Sequence, residues 1–158
     1  MRSLFVRKGV TCEAAAACLL EIGVGASTRS IEGKATRGTY SFAFFLQMLA
    51  ALGADRPKHW DSVISEHADV DEQATHIVLH ELRKLRLTPS KAARYLVSIS
   101  ASITPAEFDA LIQSGTFQFS LLLQLSSLTA IEGLERYVDH SDVLAAAAEA
   151  KHQSSGRK

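Results

Sequence analysis

The chain is predicted to be all-α on three observations. Apolar residues recur at helical spacing along nearly its whole length, and no segment combines strict alternation with β-branched or aromatic enrichment. Residues 5–53 also realign on residues 82–130, without a gap, when the sequence is slid by 77 positions. At that offset Thr11, Ala15, Ala16, Leu19, Ile22, Gly38, Thr39, Phe42, Leu46 and Gln47 meet Thr88, Ala92, Ala93, Leu96, Ile99, Gly115, Thr116, Phe119, Leu123 and Gln124. Ten identities in 49 positions is modest, but they fall on a helix N-cap, an apolar helix face, a helix-ending glycine and the next helix's core face. One supersecondary unit is used twice.

The expected organisation is two tandem helix-turn-helix-like units, at 1–54 and 81–138, joined by an acidic helical linker at 55–80 and followed by a C-terminal helix and disordered tail at 139–158. In the first unit Thr11 caps a helix reaching about Ile22, and Gly23-Val24-Gly25-Ala26 turns the chain. A second helix spans Thr28 to Arg37, Gly38 stops it, and an apolar helix runs from Ser41 to Leu52. Gly53 to Lys58 with Pro57 reads as a break. A short helix around Trp60 to His67 then leads to a longer one from Asp71 to Leu87. In the second unit Thr88 caps a helix with Pro89 at its first position, and Thr104-Pro105-Ala106-Glu107 is a capping box. Gly115 ends that helix, and Phe117, Phe119, Leu122 and Leu123 begin an apolar one. Ser141 is a suitable cap for a C-terminal helix, while Gln153 to Lys158 reads as a disordered tail.

Units this small bury little apolar surface alone, so the copies are expected to pack on each other, on the linker, or across a homodimer. The overall balance of 17 basic and 17 acidic residues hides a division along the chain. Residues 1–54 carry six basic against three acidic side chains, residues 55–80 two against six, and the remainder nine against eight. The first unit is the basic one, which matters for a polyanionic partner. No secretory leader and no run of about 20 apolar residues is present, so a cytoplasmic protein without membrane contact is expected. Cys12 and Cys18 would sit about 120° apart on one helix, poor geometry for a bridge and too few ligands for a metal, so both are read as reduced thiols.

The segment TRSIEGKATRGTYSFAFFLQMLAALG resembles the recognition helix, glycine stop and core helix of phage-repressor-like (Cro/C1-type) helix-turn-helix proteins. With RKGVTCEAAAACLLEIGV it is also similar to a bacterial family of uncharacterised small domains with a helix-turn-helix core. The resemblance covers about residues 5–54 and extends more weakly, through the repeat, to 82–130. It implies a recognition helix laid in the major groove of double-stranded DNA. Carried onto this sequence, the base-facing residues are Ser27, Thr28, Arg29 and Gly33, with Arg29 suited to guanine O6 and N7. Thr11, Lys34, Arg37 and Thr39 suit phosphates. The turn between Ile22 and Thr28 is about five residues longer than in the phage repressors, which leaves the angle between the two helices open.

The second copy departs further, since PAEFDALIQS offers Glu107 and Asp109 and no base. Its Arg83, Lys84, Arg86, Lys91 and Arg94 lie on the preceding helix and the first turns of the capped one, available to a DNA backbone or a protein partner. The expected function is a sequence-specific DNA-binding protein, a bacterial transcriptional regulator acting as a homodimer, without cofactors. The alternative is a non-catalytic adaptor or antitoxin-like protein that binds a protein partner through the trihelical units, with Arg29, Lys34 and Arg37 as an ordinary solvated face. RNA binding ranks last, for want of exposed aromatics to stack bases. His76 and His80 are four apart with Glu81 adjacent and His67 upstream, but the spacing is not HExxH and no third ligand is specified. No nucleophile elbow or Gly-rich loop after a strand argues for catalysis.

Overall fold

The computed structural model describes residues 1–99 and 103–155. Among them the protein is all-α. Its helices are α1 (Arg2–Lys8), α2 (Cys12–Glu21), α3 (Thr28–Arg37), α4 (Phe42–Ala51), α5 (Asp61–Glu66), α6 (Val70–Lys84), α7 (Pro89–Ser98), α8 (Pro105–Gln113), α9 (Phe119–Ser126) and α10 (His140–Ser155), with 3-10 turns at Lys58–Trp60 and Leu134–Arg136. Short polar side chains open the helices, as the sequence implies. Thr11, Ser27, Ser41 and Thr88 each accept the backbone N–H three residues on, at 3.1–3.3 Å. Thr104 and Glu107 form the reciprocal capping box. Each such cap is worth about 1 kcal/mol. At the C-terminal helix the cap differs from expectation. The Asp139 carboxylate accepts the Ser141 N–H at 2.9 Å, so the helix starts two residues earlier than a Ser141 cap would place it, at His140. That helix continues through Ser155, and the rest of the expected tail, residues 156–158, lies outside the described residues.

The repeat is carried into three dimensions. Helices α2 and α7, α3 and α8, and α4 and α9 start at positions 77 residues apart. The match also reaches further upstream than the aligned sequence. Residues 79–85, the last turns of α6 and its C-cap, are the counterpart of α1. Gly9 ends α1 with φ +61, and Arg86, its counterpart, holds the same left-handed conformation at φ +54.

The two copies meet about a local two-fold axis. Ser41 and Gln118, equivalent positions, form an antiparallel bridge. The Phe42 N–H donates to the Phe117 carbonyl at 3.0 Å, and the Phe119 N–H donates to the Tyr40 carbonyl at 3.0 Å. Exchanging each residue for its counterpart turns one bond into the other. The rings obey the same exchange. Tyr40 stacks on Phe119 at 5.8 Å and Phe42 on Phe117 at 5.7 Å, while Phe42 and Phe119 stack on each other across the axis at 5.9 Å. All four are buried, within a hydrophobic core that runs through both copies. Burying each such ring stabilises the fold by about 1.5–3 kcal/mol.

The ends of the units are exchanged about the same axis. Helix α1 meets the tail of the second copy, where the Ser3 hydroxyl donates to the Tyr137 carbonyl at 2.8 Å and the Arg7 guanidinium lies 5.2 Å from the Tyr137 ring centroid. Reciprocally, the end of α6 meets the tail of the first copy, where Glu81 accepts from the Trp60 indole at 2.7 Å. Trp60 and Tyr137 are themselves 77 apart.

Symmetry fails at the other end of α6. Its residues 70–77 lie upstream of the stretch that matches α1, and they pack across α8. The Thr75 hydroxyl donates to the Ile112 carbonyl at 2.5 Å. Gly115 lies so close that a β-carbon there would stand 2.1 Å from the Asp71 carbonyl oxygen. At Gly38, its counterpart, a β-carbon would meet nothing within 4 Å.

Candidate nucleic-acid interface

Helix α3 carries the basic face of the first copy. Ile31 is its one buried residue, and it ties the helix to α2 while the remainder faces outward or is half-buried. With Ala35 partly buried against the core beside it, the ten-residue helix leaves polar side chains over its outward face. Its N-terminus is closed by the Ser27 hydroxyl, which accepts the Ser30 N–H at 3.2 Å. Thr28 is half-buried at the first turn, whereas Arg29 is exposed with no hydrogen bond or ion pair to other described residues.

The basic side chains are not equally free. The Arg37 guanidinium folds back along the helix over Gly33, where a β-carbon would be 2.9 Å from one of its nitrogens. Gly33 and Arg37 therefore form one surface element rather than a base contact beside a separate phosphate contact. The Lys34 ammonium sits 5.2 Å from the Phe44 ring centroid, held over α4 by a cation–π contact. Thr39 is exposed just past the left-handed Gly38, and Thr11 is exposed at the start of α2 with its hydroxyl engaged in the cap. Arg2 reaches the same end of α3, donating to the Thr36 hydroxyl at 3.4 Å. Arg2 counts toward the basic charge of the first unit but lies outside the expected phosphate-contacting set, since the seven residues of α1 are too few for a periodic pattern.

The second copy lacks the basic residues of this face. The counterparts of Arg29, Lys34 and Arg37 are Ala106, Leu111 and Ser114. Glu107 and Asp109 are exposed on α8. The Thr104 backbone N–H, and secondarily its hydroxyl, hold the Glu107 carboxyl below the usual carboxylate range, so it is ionised at neutral pH. The five basic residues expected to form a second patch, Arg83, Lys84, Arg86, Lys91 and Arg94, are all exposed. Lys84 lies 3.9 Å from Glu81, and Arg86 stands at the left-handed turn into α7.

The histidines divide into two places. His76 stacks on His67 at 3.9 Å with rings 9° apart, and His67 Nδ1 lies 3.7 Å from Glu72. His80 instead faces His59 at 5.8 Å. His59 Nε2 lies 2.6 Å from the buried Glu81 carboxylate that also receives the Trp60 indole. Among the described residues no three His, Cys, Asp or Glu side chains converge on a metal position. Cys12 and Cys18 are free thiols, each half-buried. No described helix is long and apolar enough to cross a membrane.

The fold and this face define a class: an all-α protein built from a duplicated three-helix unit with one basic copy. Residues 1–57 match a family described as a domain of unknown function (DUF6471), a span that takes in α1 to α4 and stops before the first 3-10 turn. No curated protein and no solved structure matches the chain.

Proposed function

We propose that the protein is a sequence-specific DNA-binding protein, with α3 as the helix that enters the major groove. The observation that carries this reading is the contrast between copies that share a scaffold. Where α8 turns two carboxylates and no base outward, α3 is basic and anchored by a single buried residue. Arg29, free at the first turn of α3, is the base-reading side chain, since N-terminal residues of a recognition helix reach base edges. Arg37 over Gly33, Lys34, Arg2 and Thr39 supply phosphate contacts around it. On this reading the protein acts in transcription regulation in the cytoplasm.

Selection from a random pool of double-stranded DNA tests it, with Arg29→Ala run in parallel. The expected result is an enriched motif with the wild-type chain and a relaxed one with the variant. Absence of enrichment by either would refute base reading.

A second reading, a protein-interaction module, draws on a different observation. Leu20 and Val97 occupy equivalent positions on α2 and α7, and both are exposed, at 69% and 51%. Ile22 adds to the first of these patches. Apolar side chains repeated at one exposed position of both copies suit a protein partner. Leu20→Asp together with Val97→Asp would leave DNA binding unchanged on the first reading and abolish partner capture on the second.

A further inference from the structure

We infer that the chain works on DNA as a monomer and reads one asymmetric half-site rather than a palindrome. This rests on the DNA-binding reading above and adds to it the stoichiometry and the kind of site. Helix-turn-helix regulators of the homodimeric type obtain a two-fold axis from a second copy of the chain, and the symmetry of their operators mirrors it. Here the axis lies inside one chain.

The surfaces that would join two single units are already occupied. The Ser41–Gln118 bridge, its two exchanged hydrogen bonds and the stacked rings of Tyr40, Phe42, Phe117 and Phe119 are all intramolecular and buried. The exchange of ends, α1 onto the second tail and α6 onto the first, interlocks the copies as subunits of a small dimer interlock. A second chain finds this interface closed.

The two dyad-related helices are not equivalent readers. Each of the three cations of α3 is lost in α8, and two exposed carboxylates, Glu107 and Asp109, face outward there. Phosphates repel such a face. The first turns of α6 also cover the end of α8, fixing Gly115 against Asp71. One reading helix on a two-fold scaffold defines one half-site, and nothing in the geometry repeats it in inverted orientation.

The test is the mass of the full-length chain, free and bound to its selected duplex, by analytical ultracentrifugation, with the symmetry of the enriched motif. The expected result is one 17.1 kDa chain in solution, one chain per duplex, and a motif without inverted repeat. Two chains on an inverted repeat would overturn the inference while leaving DNA reading intact. If no duplex is bound at any salt concentration, the DNA-binding reading falls and this inference falls with it. The free mass would then still report whether the internal axis replaces dimerisation. A variant with Ala106→Arg and Ser114→Arg, both exposed positions, supplies a second check. Partial restoration of a basic α8 should add contacts on the second half of a longer duplex, and an unchanged footprint would contradict the assignment of α8 as the lost reader.

Discussion

Replacing Gly115 and Gly38 separately with alanine isolates the contact that breaks the two-fold symmetry. Both glycines take φ +68, where an L-residue is strained by roughly 1–2 kcal/mol. Alanine also restricts the unfolded chain, which returns about 0.4–1 kcal/mol. At Gly38 the new methyl group meets nothing within 4 Å, so the net loss should be about 1 kcal/mol. At Gly115 the same methyl would stand 2.1 Å from the Asp71 carbonyl oxygen, a backbone atom that cannot swing aside. Relieving that overlap requires α6 to shift on α8, which adds roughly 1–3 kcal/mol in the manner of core overpacking. Gly115→Ala should therefore lose about 2–4 kcal/mol in total. Urea unfolding followed by fluorescence of Trp60, the single tryptophan, measures both variants against the same baseline. Equal losses at the two positions would refute the close packing of α6 against the end of α8.

Further consequences follow from single residues. Glu81→Ala leaves the buried Trp60 indole N–H without its acceptor and should destabilise the fold by roughly 1–3 kcal/mol, with a changed emission maximum of Trp60; an unchanged midpoint would refute the bond. Arg86→Gly relieves a left-handed conformation and should stabilise by about 1 kcal/mol in the same unfolding assay, whereas a loss would mean that the Arg86 side chain matters more than its backbone. Burial pushes the Tyr40 hydroxyl up to about 12. Because the folded value lies above the ordinary 10, its contribution is fully present below pH 10 and is lost as pH rises from 10 toward 12. Tyr40→Phe should flatten the fall of stability across that interval, with the remaining slope partly due to Tyr137, which burial also raises.

Much of the fold was legible because its signals are local. Thr11, Ser41, Thr88 and the Thr104–Glu107 box mark helix starts by chemistry that needs no tertiary partner, and Gly38 marks a stop by backbone freedom alone. Helix α1 escaped because seven residues give too short a periodic pattern, and its support comes from Tyr137 far along the chain. The Ser41–Gln118 bridge escaped because one pair of residues makes no alternating segment. Yet the repeat held its trace, since equivalent aromatic positions at 40 and 117 and at 42 and 119 are what a two-fold contact brings together. At the candidate interface, the charge of α3 and its caps could be read from the sequence. The retraction of Lys34 onto Phe44 and of Arg37 onto Gly33 could not, because each depends on side-chain direction along a formed helix. In the sequence Glu81 stands out only as a neighbour of His80. Its burial between His59 and Trp60 requires the tail of the first copy to fold back on α6.

Contact between the basic face of α3 and DNA sets the salt dependence of affinity for a mixed-sequence duplex, to be measured for the wild-type chain and for Arg37→Gln. Counterion release predicts that log affinity falls linearly with log salt concentration, and that removing one phosphate contact lowers the slope by about one. A steep wild-type slope, reduced by about one in the variant, is the expected result. No binding even at low salt, or a slope indifferent to Arg37, would contradict it.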